Sequence, residues 1–187
     1  MTTICAVIKN NQITIGCDGQ TNNGILKLPK IEANRNKLIT KDDAIIGISG
    51  WSVVNNLLAH AITDKSLTLD FNGNIDLLFP VIEFHKYVKE NFFFQPNSSD
   101  TFESLDCDFL IINKYGLFHI DAFRSVNKFK TFYAIGSGKE IALGALDILY
   151  DLQLTPEEMV KKAIETASNY DIYTGGDISI KTIEINP

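Results

Sequence analysis

Threonine stands directly behind the initiator methionine in Met1-Thr2-Thr3-Ile4-Cys5-Ala6-Val7-Ile8. Removal of Met1 would leave Thr2 with a free α-amine beside its own hydroxyl, a nucleophile and a base in one residue. The reference pKa of ~8 for such an amine suits a base that works near neutrality. On that residue alone, the start of a β-strand is the commoner reading. Four later stretches carry further groups able to do chemistry. Gly16-Cys17-Asp18-Gly19 ends an apolar run on a carboxylate, which is either a catalytic anion or an Asp-Gly turn. Gly47-Ile48-Ser49-Gly50 lies between a strand and a helix start, where a backbone N–H can be aimed at a developing oxyanion. Close strand-to-helix packing would explain those glycines too. Ala134-Ile135-Gly136-Ser137-Gly138 is a second such turn, open to anion binding or to plain N-capping by Ser137. Asp171-Ile172-Tyr173-Thr174-Gly175-Gly176 sets a carboxylate and a hydroxyl three residues apart before a glycine pair. A loop with a locally satisfied aspartate would account for it equally.

The elements that must position these groups follow from periodicity and turn chemistry. Thr3 to Ile8 and Gln12 to Cys17 read as a β-hairpin turned at Lys9-Asn10-Asn11. A polar segment follows to about Asn36, with Leu26-Lys27-Leu28 its one strand-like piece. Lys37 to Thr40 and Ala44 to Ser49 read as a second strand pair, turned at Lys41-Asp42-Asp43. From Trp51 the period becomes helical, through Val53, Val54, Leu57, Leu58, Ala61 and Ile62. A second helix is expected from about Asp76 to Asn91, and residues 95 to 104 read as a surface loop. Strands resume at Asp108 to Asn113, Leu117 to Asp121 and Thr131 to Ile135. Ser137-Gly-Lys-Glu140 and Thr155-Pro156-Glu157-Glu158 both have capping-box spacing, the latter with proline at the first helical position. Ile178 to Ile185 closes the chain as a strand. Strands alternating with paired helices, joined by hairpin-length turns, argue for antiparallel sheet with helices layered outside.

Composition narrows the class. A chain of 187 residues can bury one substantial core, and 45% apolar with 21% charged residues suits a globular domain. The formal charge of −6 and the lack of a basic stripe argue against a nucleic-acid partner. Three scattered cysteines, Cys5, Cys17 and Cys107, fit neither a disulfide framework nor a zinc ligand set. No stretch approaches a membrane span or a signal peptide, so a cytoplasmic protein without metal or cofactor is expected.

Taken together and in this order behind Thr2, the five stretches resemble the proteasome-type N-terminal-threonine hydrolases, the family of proteasome β-subunits and the bacterial HslV protease. The likeness covers nearly the whole chain. Thr2-Thr3-Ile4 and Gly16-Cys17-Asp18-Gly19-Gln20 look like HslV, whereas Asp171-Ile-Tyr-Thr-Gly-Gly looks more like a β-subunit. The resemblance implies one α/β (α+β) domain, a four-layer αββα sandwich of two antiparallel sheets flanked by helices. It matches Thr2 to the nucleophile, Asp18 to the aspartate one hairpin later and Lys37 to the lysine. Lys37-Leu38-Ile39 stands at the right distance before Gly47-Ile48-Ser49-Gly50, although Lys30 and Arg35 remain alternatives. Arginine would be a poor substitute, since it cannot release its proton. Gly50 matches the oxyanion-hole glycine and Ser137 the supporting serine. Asp171 and Thr174 match the last motif, with threonine for the commoner serine. The chain departs from the pattern in a longer interval from Asp18 to Lys37, in Trp51 where a second glycine is common, and in a longer loop at 95–104.

In such a site the Lys37 ammonium would lower the pKa of the amine and the hydroxyl by charge proximity, with Asp18 holding the lysine charged and oriented. A peptide would add as a strand along the backbone of Gln20, Thr21 and Asn22 and near Gly50. Ile39 and Ile48 would line a pocket for apolar side chains. The resemblance further implies a threonine endopeptidase stacked with copies of itself in hexameric or heptameric rings. The chain has no G-x-x-x-x-G-K-[ST] motif, so unfolding of polypeptide substrates would fall to a separate ATPase or activator. Family members can also hold a cation through backbone carbonyls near the last motif. Two alternatives stay open: a catalytically silent ring subunit, and an N-terminal-nucleophile amidohydrolase acting on small amides.

Overall fold

In the computed structural model, the described residues are 2–28, 37–64, 67–74, 76–95 and 101–185. The chain starts with a hairpin, β1 (Thr3–Lys9) and β2 (Gln12–Cys17). Asn10 and Asn11 turn it with φ of 55° and 60°, the left-handed pair that a two-residue hairpin needs and asparagine tolerates. Two short strands, β3 (Asn22–Asn23) and β4 (Leu26–Lys27), pair with each other. A second hairpin follows, β5 (Leu38–Lys41) and β6 (Ala44–Gly50), and then two helices, α1 (Ser52–Thr63) and α2 (Leu78–Asn91). The second half comprises β7 (Cys107–Asn113), β8 (Gly116–Ile120), β9 (Val126–Phe129), β10 (Phe132–Gly136), α3 (Lys139–Tyr150), α4 (Pro156–Tyr170) and β11 (Ser179–Glu184).

Two antiparallel sheets result, in the orders β10-β1-β2-β11 and β5-β6-β7-β8-β9. Strand alternation sorts the side chains into layers. From β1 and β2, Ile4, Ala6, Ile13 and Ile15 meet Leu38, Ile45, Leu110, Ile112 and Leu117 of the other sheet, forming the central apolar layer. The opposite face of the first sheet, with Cys5 and Val7, packs on Ala142 and Leu146 of α3 and on Val160, Ala163 and Ile164 of α4. The outer face of the second sheet, with Ile46, Ile48 and Phe109, packs on Val54 and Leu58 of α1 and Val81 and Phe84 of α2. The stacking is therefore helix, sheet, sheet, helix, as expected. Strand β6 is buried along its length up to Gly50, because it lies inside its sheet and is covered on both faces.

Two expectations change. Strand β9 was not anticipated: Val-Asn-Lys-Phe is short, and as the edge of its sheet it lacks a sustained apolar alternation. Ser137 does not cap α3. The N-cap is Gly138 and no side chain bonds there, because the Ser137 hydroxyl is engaged elsewhere. The box at Thr155 does form, with Thr155 Oγ1 accepting from Glu158 N–H at 3.2 Å and Glu158 Oε2 accepting from Thr155 N–H at 2.8 Å. Thr155→Ala should lower the free energy of unfolding by about 1 kcal/mol, whereas Glu140→Gln should leave the urea midpoint where it is. The reverse order in paired urea titrations would mean that the box forms at α3.

Candidate active site

Thr2 sits at the end of β1, beyond its last ladder pair Thr3↔Gly136, and is 3% exposed. Its carbonyl accepts from the Ser137 N–H at 2.8 Å and faces Ser137 Oγ at 3.3 Å. Gly136 permits this approach. Its φ is +95°, and a Cβ there would stand 2.0 Å from the Thr2 carbonyl oxygen. A side chain at that position is excluded on both counts.

The Thr2 hydroxyl lies in a set of charges assembled from both sheets. Lys37, which leads into β5, donates through Nζ to Thr2 Oγ1 at 2.6 Å, to Asp18 Oδ1 at 2.7 Å and to the Gln20 carbonyl at 2.8 Å. Thr2 Oγ1 also donates to Asp18 Oδ1. Asp18 is fully buried at the end of β2, and its carboxylate further accepts the N–H groups of Thr3 (2.9 Å), Gln20 (3.1 Å) and Gly175 (3.1 Å). A buried carboxylate with this many donors and a cation in contact is compensated for the water it has lost.

On the other side of Thr2, Asp171 forms a second focus at the C-terminal end of α4. Its Oδ2 accepts from Ser137 Oγ and from Thr174 Oγ1, each at 2.6 Å, and its Oδ1 accepts the Tyr173 N–H at 3.1 Å. Burial pushes the carboxyl up, but the bonds from Ser137, Thr174 and Tyr173 outweigh it and hold Asp171 below the usual carboxylate range. Thr174 also contacts Thr3, with Oγ1 to Oγ1 at 2.6 Å. A chain of hydroxyls and one carboxylate thus runs from Thr3 through Thr174 and Asp171 to Ser137 and the Thr2 carbonyl.

Gly50 ends β6 with φ +129°, and a Cβ there would meet the Asp106 carbonyl at 2.5 Å. It borders an open cleft of about 390 Å³ that is also lined by Gly136 and Ser137. The oxyanion candidate and the turn that holds Thr2 thus share one solvent space.

Thr2, Asp18, Lys37, Ser137, Asp171 and Thr174 are joined by hydrogen bonds, and Gly50 opens on the same cleft. Lys30 and Arg35 lie outside the described residues. The expected substrate edge is partly occupied by structural bonds. The Gln20 carbonyl holds Lys37, its side chain donates to Asn22 Oδ1 (3.0 Å) and the Ile172 carbonyl (2.8 Å), and the Thr21 carbonyl accepts from Leu28 N–H at 2.9 Å. Ile39 is half-buried against the layer under α1, whereas Ile48 is 1% exposed within that layer. Thr3 was missed. Its threonine doublet with Thr2 was the available signal, but a hydroxyl in a strand is common and its partner is distant in sequence. The thiols are buried. Burial pushes Cys17 up to about 12 against the lowering effect of Lys37, and it raises Cys5 and Cys107 as well. Among the described residues no group of His, Cys, Asp and Glu is arranged to hold a metal ion.

An αββα sandwich with its first residues threaded into a charged site between the sheets is the N-terminal-nucleophile hydrolase fold. Residues 108–183 match the family model described as Proteasome subunit. The proteasome subunit beta of Methanocaldococcus fervens is 41% identical over 70 residues, covering 36% of this chain and 31% of that protein. The match thus spans about a third of the length of such relatives. The ATP-dependent protease subunit HslV of Lactiplantibacillus plantarum is 25% identical over 185 residues, covering 97% of this chain and 96% of its own. The solved structure of Thiobacillus denitrificans BPH in complex with epoxomicin superposes with a TM-score of 0.91 at 28% identity, over 100% of both chains. In sequence and in fold, the chain is thus similar to the proteasome-type hydrolases, HslV and the proteasome β-subunits among them.

The depressed Asp171 fixes a pH dependence. An unfolded aspartate titrates near ~3.9, so the stability contributed by ionised Asp171 is complete above that value and is lost as pH falls through its lower folded value. Asp171→Asn should therefore flatten the fall in urea midpoint between about pH 4 and pH 2. Parallel curves for the two proteins would contradict the assignment.

Proposed function

We propose that this chain is the catalytic subunit of a threonine-type endopeptidase, working as a single proteasome-like domain after removal of Met1. The observation that carries this reading is the Lys37 ammonium seated between Thr2 Oγ1 at 2.6 Å and Asp18 Oδ1 at 2.7 Å. A lysine held in that way stabilises negative charge on the threonine oxygen as its proton leaves.

The reaction then runs as acyl transfer. Thr2 Oγ1 attacks the peptide carbonyl carbon, and its proton passes to the freed α-amine, directly or through one water. The Gly50 N–H stabilises the tetrahedral oxyanion, a contribution of roughly 3–4 kcal/mol in comparable sites. Collapse breaks the C–N bond, the leaving amine takes the proton, and an ester to Thr2 remains for water to hydrolyse. Ser137, Asp171 and Thr174 are positioning residues that fix the Thr2 backbone and an ordered proton path. Substrates bind as strands beside Gln20 to Asn22, with Ile39 as a wall for apolar side chains.

Membership of an ATP-dependent protease assembly is proposed from the names of the HslV relatives, and stacked rings with a separate ATPase from the resemblance set out above. Exposed apolar residues support an assembling surface: Trp51 is 68% exposed and Val53 54% exposed at the start of α1.

Intact-mass measurement before and after an N-terminal-threonine-directed epoxyketone tests the reading. The expected result is loss of one methionine and a single adduct, absent in Thr2→Ala and formed at least about a hundredfold more slowly in Lys37→Ala. Retained Met1 with no adduct would instead make this a silent ring subunit. Turnover of small amides without peptides would make it an amidohydrolase.

A further inference from the structure

One wall of the cleft beside Gly50 is acidic. From Gly50 and Ser137 the lining continues to Asp106, Cys107 and Asp108, at the start of β7. The ladder fixes this neighbourhood, pairing Gly50 with Cys107 and Ser49 with Asp108. Cys107 is 3% exposed and turned into the layer under α1 and α2, so strand alternation sends Asp108 the other way. Asp106 Oδ1 accepts from Ser104 Oγ at 3.1 Å, and Asp108 Oδ1 lies 3.5 Å from His119 Nε2. Neither lysine nor arginine lines the cleft.

The position of this cleft relative to the nucleophile gives the acid a use. It touches Gly50 and the turn that holds the Thr2 carbonyl, but none of Gln20, Thr21, Asn22 or Ile39. It thus opens across Thr2 from the edge where the acyl half of a peptide would lie. On the endopeptidase reading, this is the side on which a chain threaded past Gly50 would leave.

We propose that this cleft is the leaving-group subsite, and that Asp106 and Asp108 favour substrates with lysine or arginine directly after the scissile bond. The inference rests on the endopeptidase reading above. Two carboxylates facing one side chain attract a cation and repel an acid, which changes the ranking of substrates more than their general affinity.

The test uses the processed protein and internally quenched peptides that are identical up to the scissile residue and carry Lys, Arg, Ala or Glu after it. A coumarylamide with the same acyl half serves as reference, because its leaving group has no side chain. Each kcat/KM is divided by the coumarylamide value of the same variant, so a general change in activity cancels. Lysine and arginine should exceed glutamate by about tenfold, and the double variant Asp106→Asn, Asp108→Asn should abolish the ranking. Asparagine suits the φ of 50° at position 106. A ranking that survives in the double variant, or no ranking in the wild type while the coumarylamide is cleaved, overturns this inference alone. No cleavage of any substrate overturns the endopeptidase reading and this inference with it.

Discussion

The contact between the Lys37 ammonium and the Asp18 carboxylate, at 2.7 Å with Asp18 fully buried, is the constraint around which the rest is built. A carboxylate removed from water costs several kcal/mol unless it is paired and its lone pairs are filled. The chain supplies four partners, the Thr2 hydroxyl and the N–H groups of Thr3, Gln20 and Gly175, besides Lys37 itself. These partners come from three parts of the sandwich, Thr2, Thr3 and Gln20 from the first hairpin and its exit, Lys37 from the lead into β5 and Gly175 from the loop after α4. The pair can form only when the β1–β2 hairpin, the lead into β5 and the loop after α4 converge. Folding of the whole molecule is thereby tied to the geometry around one hydroxyl.

The central apolar layer sets the scale of that geometry. Ile4 and Ile15 on one sheet and Leu38, Leu110 and Ile112 on the other fix how far apart the sheets lie. Lys37 directly precedes Leu38, so the residue that carries the charge is anchored by a neighbour with 1% exposure. The spacing of the layers therefore bears on whether Nζ reaches Thr2. Asp171 is placed by α4 in the same way: the helix packs Ala163, Ile164 and Ala167 against the first sheet and ends on the carboxylate.

Much of this could be read in the sequence because the groups gathered around Thr2 sit where elements end, and element ends carry strong local signals. Asp18-Gly19, Gly50 and Gly136-Ser137 all stand at the ends of strands with clear apolar patterning. Lys37 was reached through its distance from Gly47 to Gly50, which the β5–β6 hairpin register preserves, Leu38 pairing with Gly47. Long-range partners were not legible. Ser137 has the spacing of a helix cap, yet its hydroxyl is taken by Asp171 at 2.6 Å, a contact that no local pattern encodes. Thr3 and Gln20 likewise act through residues far along the chain, Thr174 and Ile172. Ile48, which the resemblance puts on a pocket wall, is 1% exposed in the layer under α1. Strand β9 escaped because an exposed edge strand needs no amphipathic pattern.

The bonds that hold Thr2 share one property. All of those described use its carbonyl or its hydroxyl, and none uses its nitrogen. Among the described residues, the bonds that fix Thr2 thus leave its nitrogen out. A precursor and its trimmed form would therefore differ by a single covalent bond while sharing one folded scaffold. On the endopeptidase reading proposed above, construction and arming would be separate events, because the scaffold is complete before the nitrogen is freed.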